Sequence, residues 1–97
     1  MLIRDQVSTF IVRVSGESMQ GAGISDGDEL IVDRSVQPRD GHVVIAVIDG
    51  EMTVKRLSTG PAGVVLKAEN PDYPDLHVAE LSDFRIWGVA TTCLHHL

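Results

Sequence analysis

Asp49 and Gly50 separate two runs of strand-forming residues, His42–Ile48 and Glu51–Leu57. The two central positions of a tight hairpin turn require positive φ angles, which Asp-Gly accommodates, and both flanking runs are rich in β-branched residues. The sequence therefore predicts a two-residue hairpin in which Ile48 faces Glu51. With that register, Val44 lies opposite Lys55.

The rest of the chain is also strand-like. Predicted strands cover Thr9–Val14, Glu29–Asp33, Val64–Ala68 and Phe84–Thr92, with loops at residues 59–63 and 70–74. No ten-residue segment has helical periodicity, and Gly16–Ala22 has room for at most a short helical turn. The expected fold is mostly β: one small domain over residues 1–97, with six or seven short, largely antiparallel strands.

Composition excludes several functional classes. The 97 residues carry a net charge of −6, whereas proteins that bind nucleic acid directly need clustered Lys and Arg for the phosphates. The single cysteine, Cys93, cannot form an internal disulfide. The longest apolar run, Val43–Ile48, is far shorter than the ~20 residues that span a bilayer. We therefore expect a cytoplasmic protein that binds neither DNA nor membrane.

The hairpin register places Lys55 among apolar side chains. Side chains alternate between the faces of a strand, so Thr53, Lys55 and Leu57 share one face with Val44 and Ala46. The opposite face is also apolar, which predicts a sheet covered on both sides. Burial lowers the pKa of a lysine and makes it a candidate general base. The alternative is a side chain that extends its ammonium group to water.

A second candidate lies in the segment Val14–Met19, where a predicted strand ends in a glycine turn followed by Ser18. Such a turn can present a nucleophilic hydroxyl beside free backbone N–H groups. Taken alone, the pattern favours a solvent-exposed turn serine over a nucleophile.

Together, the serine and the lysine resemble the LexA/UmuD-type Ser-Lys self-cleaving proteases. Four segments carry the resemblance: Ser15–Met19, Gly23–Asp33, Gly41–Asp49 and Glu51–Leu57. The resemblance implies that Ser18 is the nucleophile and Lys55 the general base, with an oxyanion hole formed by the backbone N–H groups of Glu17 and Ser18. Strand parity adds the hypothesis that the Thr53 hydroxyl orients the lysine amine. No metal or cofactor is implied.

Within the family, Gly23–Asp33 and Gly41–Lys55 look most like UmuD, the SOS-mutagenesis protein. The resemblance implies a homodimer whose self-cleavage is stimulated by RecA–nucleoprotein filaments. It also implies that the processed form assists an error-prone translesion DNA polymerase of the UmuC type. Contact with the polymerase rather than with DNA agrees with the acidic charge.

Three alternatives remain open: the C-terminal domain of a LexA-like repressor, a free-standing Ser-Lys peptidase, and an inactive dimerisation domain. The chain departs from the family in having Gly41-His42 instead of Gly-Asp, and no Ala-Gly or Cys-Gly pair precedes Ser18. We therefore expect no cleavage segment upstream of the serine and no DNA-binding domain in this chain. It would be a processed or truncated form, or one that acts in trans.

Other potential ligands have simpler interpretations. Asp26-Gly27-Asp28 lacks the further ligands of a calcium loop and is read as a turn. His95 and His96 are expected to form a frayed terminus. Cys93 is interpreted as a small buried apolar residue without a nearby histidine or basic partner. The sequence gives no reason to predict a metal site.

Overall fold

A computed structural model of the protein describes residues 7–95, so residues 1–6, His96 and Leu97 lie outside it. Seven strands form one sheet in the order β1-β2-β7-β3-β4-β5-β6, and every neighbouring pair is antiparallel. The strands are β1 Thr9–Arg13, β2 Glu29–Asp33, β3 Val43–Ile48, β4 Glu51–Gly60, β5 Gly63–Lys67, β6 Leu76–His77 and β7 Phe84–Leu94. The mostly-β fold predicted from the sequence is confirmed.

The central hairpin has the predicted turn and register. Asp49 and Gly50 have φ angles of 51° and 82°, as a turn with two positive-φ residues requires. Ile48 pairs with Glu51, and Val44 with Lys55. The position of Lys55 in the sheet is therefore the one that the sequence predicted.

The loop predicted at residues 59–63 is wrong in its extent. β4 continues to Gly60, which pairs with Gly63, so that only Pro61 and Ala62 form the turn. The hairpin ladder extends because Thr59 and Val64 are β-branched and pair directly across it. The two-residue strand β6 was also not predicted, since so short a segment has no periodicity to detect.

Hydrophobic clusters cover the two faces of the sheet, as the apolar hairpin predicted. One cluster includes Met19 and Ile24 from the segment between β1 and β2, packed against Ile45 of β3. The other packs Leu76 and neighbouring apolar residues of the β6–β7 segment against Val44. Met52 is an exception to the predicted cover, because it is half-exposed at the end of the hairpin.

Helical structure among residues 7–95 is limited to two 3₁₀ turns, Gln20–Ala22 and Val78–Glu80. The first lies within the segment where the sequence allowed a short helical turn. Neither turn has the length or the apolar character of a membrane-spanning helix.

Candidate active site

Ser18 lies on the segment that leaves β1 and crosses the sheet before the first 3₁₀ turn, and it is half-buried. Its neighbour Met19 is only 1% exposed and fixes the segment in the core. Gly16 has a φ of 95°, and its N–H donates to Asp26 Oδ1 at 2.7 Å. The glycine turn and the buried methionine together hold the serine at the boundary between core and solvent.

The serine segment is also bonded to the segment after β5. Glu69 N–H donates to the carbonyl oxygen of Ser18 at 2.8 Å, and Gly21 N–H donates to the carbonyl oxygen of Glu69 at 2.7 Å. Asn70 Nδ2 donates to the carbonyl oxygen of Glu17 at 2.8 Å. The Glu69 carboxylate in turn accepts from Arg56 Nε at 2.6 Å. A chain of contacts therefore connects the serine to the residue that follows Lys55.

Glu17 and Ser18 are bonded to the rest of the protein through their carbonyl oxygens. Among residues 7–95, the backbone N–H groups of Glu17 and Ser18 donate to no other group in the hydrogen-bond network. Free N–H groups beside a serine are what an oxyanion hole needs. Their assignment to that role stays a prediction.

Lys55 is buried, with 6% of its surface exposed. Its Nζ atom lies 5.6 Å from the centre of the Tyr73 ring. Burial lowers the pKa of the lysine, and the negative charge of Asp75 opposes this shift in part. A lysine in this environment is more readily deprotonated than one in water, which is the property that a general base requires.

Two adjacent cavities contain the candidate residues. Ser18 lines one of about 210 Å³, and Lys55 lines one of about 360 Å³; Met52 and Thr53 line both. Within the described part of the chain, no hydrogen bond joins the Ser18 hydroxyl to the Lys55 amine, or the amine to Thr53. The structure thus brings the serine and the lysine to two cavities that share Met52 and Thr53, with no hydrogen bond recorded between their side chains in residues 7–95.

The cavities lie along an open edge of the sheet. β4 pairs with β3 over residues 51–56, but its pairing with β5 begins only at Arg56. Over residues 51–55, β4 has no strand partner on its second side among the described residues. Lys55 is the last residue of this open stretch, so its neighbourhood is accessible to another chain segment.

His42 does not act on the lysine in this structure. Its Nδ1 accepts a hydrogen bond from the backbone N–H of Arg39 at 3.0 Å, and its carbonyl oxygen accepts one from Leu57 N–H at 2.8 Å. The residue that departs from the family pattern therefore stabilises the turn before β3.

Sequence reasoning missed a different cluster, at the far end of the sheet. Asp28, Cys93 and His95 bring their polar side-chain atoms together there. The interpretations of Cys93 as a residue without a histidine partner and of His95 as a frayed terminus are therefore wrong. The available signal was the spacing of Cys93 and His95, since residues two apart on a strand share a face.

Comparisons with known proteins identify the family of this chain. A family model described as Peptidase S24-like matches residues 1–91. Protein SamA of Salmonella typhimurium is 44% identical over 93 residues, which are 96% of this chain and 64% of SamA. The LexA repressor of Delftia acidovorans is 47% identical over 81 residues, and that of Burkholderia cenocepacia 43% over 82; each alignment covers 84% of this chain.

The alignments cover 36% and 38% of the two repressors, so the chain spans less than two thirds of each of these three relatives. The family model nevertheless covers nearly the whole of this sequence, including Ser18 and Lys55. The antiparallel sheet agrees with the fold expected from the resemblance. The chain therefore belongs to the Peptidase S24-like family.

Proposed function

We propose that this chain forms a single Ser-Lys peptidase domain of a UmuD-like SOS-response protein. The observation that carries the proposal is the buried Lys55, whose cavity shares the wall of Met52 and Thr53 with the cavity of Ser18. A lysine that served only as a solvated surface charge would have no reason to be buried beside this cavity. The membership of the chain in a peptidase family supports the same interpretation.

The proposed reaction is acyl transfer to the serine. Neutral Lys55 accepts the proton of the Ser18 hydroxyl as Oγ attacks the scissile carbonyl carbon. The N–H groups of Glu17 and Ser18 stabilise the oxyanion that forms. The Lys55 ammonium then donates its proton to the leaving amine, and water hydrolyses the acyl-enzyme with Lys55 again as base. In the substrate-bound state the Ser18 hydroxyl has to donate a hydrogen bond to the Lys55 amine.

The biological role is the finer part of the proposal. It comprises a homodimer, self-cleavage stimulated by RecA–nucleoprotein filaments, and a processed form that assists a UmuC-like error-prone translesion DNA polymerase. The net charge of −6 supports a protein partner rather than direct contact with DNA. The match to SamA extends over more of this chain than the matches to LexA repressors do.

A binding measurement tests this role separately from the chemistry. Immobilised Ser18→Ala protein is expected to retain a purified UmuC-like polymerase, because the substitution leaves the surface of the domain unchanged. An unrelated acidic domain of similar charge serves as the control. Absence of polymerase binding, together with intact peptidase activity of the unsubstituted chain, would contradict the UmuD-like role and leave the peptidase assignment in place.

The alternative role is the C-terminal self-cleavage and dimerisation domain of a LexA-like repressor. The 47% identity to the Delftia acidovorans LexA repressor supports it. The complete reading frame discriminates the two roles. A long N-terminal extension with the pattern of a helix-turn-helix would favour the repressor.

We expect the rate of cleavage to rise with pH. The neutral amine of Lys55 is the active form of the base, and burial moves its pKa below the ordinary lysine value. Below that pKa the rate should increase about tenfold per pH unit, and above it the rate should level off. Single-turnover cleavage measured from roughly pH 6 to 10 reports the profile.

As a control for this pH series, circular dichroism at each pH checks that the protein is folded. The lowered pKa means that the unfolded chain binds the lysine proton more tightly than the folded one. The contribution of Lys55 to stability therefore increases as pH rises from its folded pKa towards the ordinary value, and unfolding at high pH from this residue is not expected. A rate independent of pH over the range would contradict a lysine base.

Thr53→Val is expected to slow cleavage by about three- to tenfold, the value of one hydrogen bond, which the Thr53 hydroxyl would make to the amine in the substrate-bound state. The valine keeps the shape of threonine but cannot hold the amine. Thr53→Ser, which keeps the hydroxyl, should restore most of the rate. Equal rates for the valine and serine variants and the unsubstituted chain would remove the proposed orienting role.

A further inference from the structure

Three side chains of different chemistry meet at the end of β7. Asp28 Oδ2 lies 2.7 Å from His95 Nδ1 and accepts a contact from Cys93 Sγ at 3.6 Å. Cys93 Sγ is 4.0 Å from His95 Nε2. A carboxylate oxygen, a thiol sulfur and an imidazole nitrogen all lie within 4.8 Å of one another.

The sheet itself produces this cluster. Glu29 pairs with Leu94 and Leu30 with Cys93, so the antiparallel register carries Asp28 opposite His95. Cys93 and His95 are two residues apart and point to the same side. The cluster therefore joins the ends of β2 and β7, and its geometry does not depend on a flexible loop.

Asp28 is fixed before any ligand arrives. Its side chain is 9% exposed, and Oδ2 also accepts the backbone N–H of Ser25 at 2.8 Å. Hydrogen bonds from the backbone commonly orient the carboxylates that bind metals. His95 is exposed on the outer side, which leaves a path from solvent to the three donor atoms.

We propose that Asp28, Cys93 and His95 form a divalent-metal site of the zinc type, with a fourth position open to water. One thiolate, one imidazole and one carboxylate with an open position is a donor set that suits tetrahedral Zn²⁺. With ordinary Zn–S and Zn–O bond lengths, a tetrahedral ion places sulfur and oxygen about 3.5 Å apart. The observed separation of 3.6 Å meets this requirement. The imidazole lies 2.7 Å from the oxygen through Nδ1 and 4.0 Å from the sulfur through Nε2, so the exposed His95 ring has to turn to bind the ion with one nitrogen.

Charge balance favours a cation over a hydrolytic Cys-His-Asp triad. A thiolate beside the Asp28 carboxylate would place two negative charges together, and Zn²⁺ neutralises both. On metal binding, the thiol releases its proton to the solvent, and His95 exchanges its contact with Asp28 for a bond to the ion.

Cobalt substitution tests the site directly. The Ser18→Ala protein is treated with a chelator, reduced, and titrated with Co²⁺, so that peptidase activity plays no part. We expect a near-ultraviolet thiolate-to-cobalt charge-transfer band and the intense visible bands of four-coordinate cobalt, saturating at one equivalent. Added Zn²⁺ should displace the cobalt and abolish both sets of bands.

Variants identify the ligands. Cys93→Ala should abolish the charge-transfer band, and His95→Ala should weaken cobalt binding by at least about tenfold, since even outer-shell partners contribute that much. His96→Ala and His77→Ala are the matched histidine controls and should behave like the parent. Asp28→Asn is unsuitable as the only test, because Asp28 also holds the Ser25 turn.

Three outcomes would overturn the proposal. One is the absence of a thiolate band at any cobalt concentration in a protein that circular dichroism shows to be folded. Another is cobalt binding that Cys93→Ala leaves unchanged, which would mean an adventitious ion only. The last is an equal loss of affinity in His96→Ala and His95→Ala, which would assign binding to the histidine pair at the terminus.

Discussion

Ser18→Ala and Lys55→Ala should each reduce cleavage in trans by on the order of 10⁴- to 10⁶-fold, because the members of a nucleophile–base pair act as a unit. The substrate is a full-length LexA-type repressor whose own catalytic serine has been replaced by alanine, incubated with this chain at alkaline pH. Since the substrate cannot cleave itself, any product comes from the added chain. The double variant should be no slower than either single variant.

Lys55→Met is the control for folding in this experiment. Methionine fills a similar volume without a charge to bury, so the variant should lose cleavage while its free energy of unfolding rises by about 0.5–2 kcal/mol. Thermal and urea unfolding measure the second effect. Cleavage that persists in either Ser18→Ala or Lys55→Ala would contradict the pair, whereas cleavage absent even from the unsubstituted chain would direct attention to the binding role of the domain.

Gly21→Ala should have the second large effect, because it disturbs the support of the serine. A Cβ atom at Gly21 would lie 2.6 Å from the carbonyl oxygen of Glu69, closer than real Cβ contacts come. That oxygen accepts the Gly21 N–H, and Glu69 N–H donates to Ser18. The clash must therefore move backbone on one side or the other. We expect a loss of about 1–3 kcal/mol in stability and about 10²-fold in cleavage.

Gly60→Ala is the matched control for this substitution. An added Cβ there meets no atom within 4 Å, and the residue lies at the end of β4, away from the serine segment. It should leave cleavage and stability nearly unchanged. If Gly21→Ala lowers stability but not the cleavage rate of the folded protein, the Glu69 contacts are structural supports that do not position Ser18.

The local sequence pattern was sufficient to predict the hairpin and therefore the position of Lys55 in the sheet. The Asp49-Gly50 turn fixes the register, and alternation then assigns the face of every side chain on β3 and β4. These two rules place Lys55 on an apolar face of the sheet, whereas its enclosure also involves Tyr73, Pro74 and Leu76, which the hairpin pattern does not predict.

The surroundings of Ser18 could not be predicted in the same way. Its contacts with Glu69 and Asn70 connect segments about fifty residues apart, and no periodicity encodes them. The Asp28–Cys93–His95 cluster has a similar origin. The pairing of β2 with β7 that forms the cluster includes an irregularity between Ile31 and Val32. A bulge that is not recognised in the sequence moves every later predicted pair by one residue.

The two members of the candidate pair differ in how firmly the fold constrains their backbones. Lys55 belongs to the β3–β4 hairpin, where it pairs with β3 and lies next to Arg56, the first residue of β4 that pairs with β5. Ser18 lies on a segment of irregular backbone that a few hydrogen bonds connect to residues 69–70. Local opening of such a segment requires less free energy than breaking a strand ladder. In a protease that acts as a switch, the base would thus stay in place, and movement of the serine segment would control the rate of cleavage. A stimulating partner would need to shift only a few residues, leaving the sheet intact.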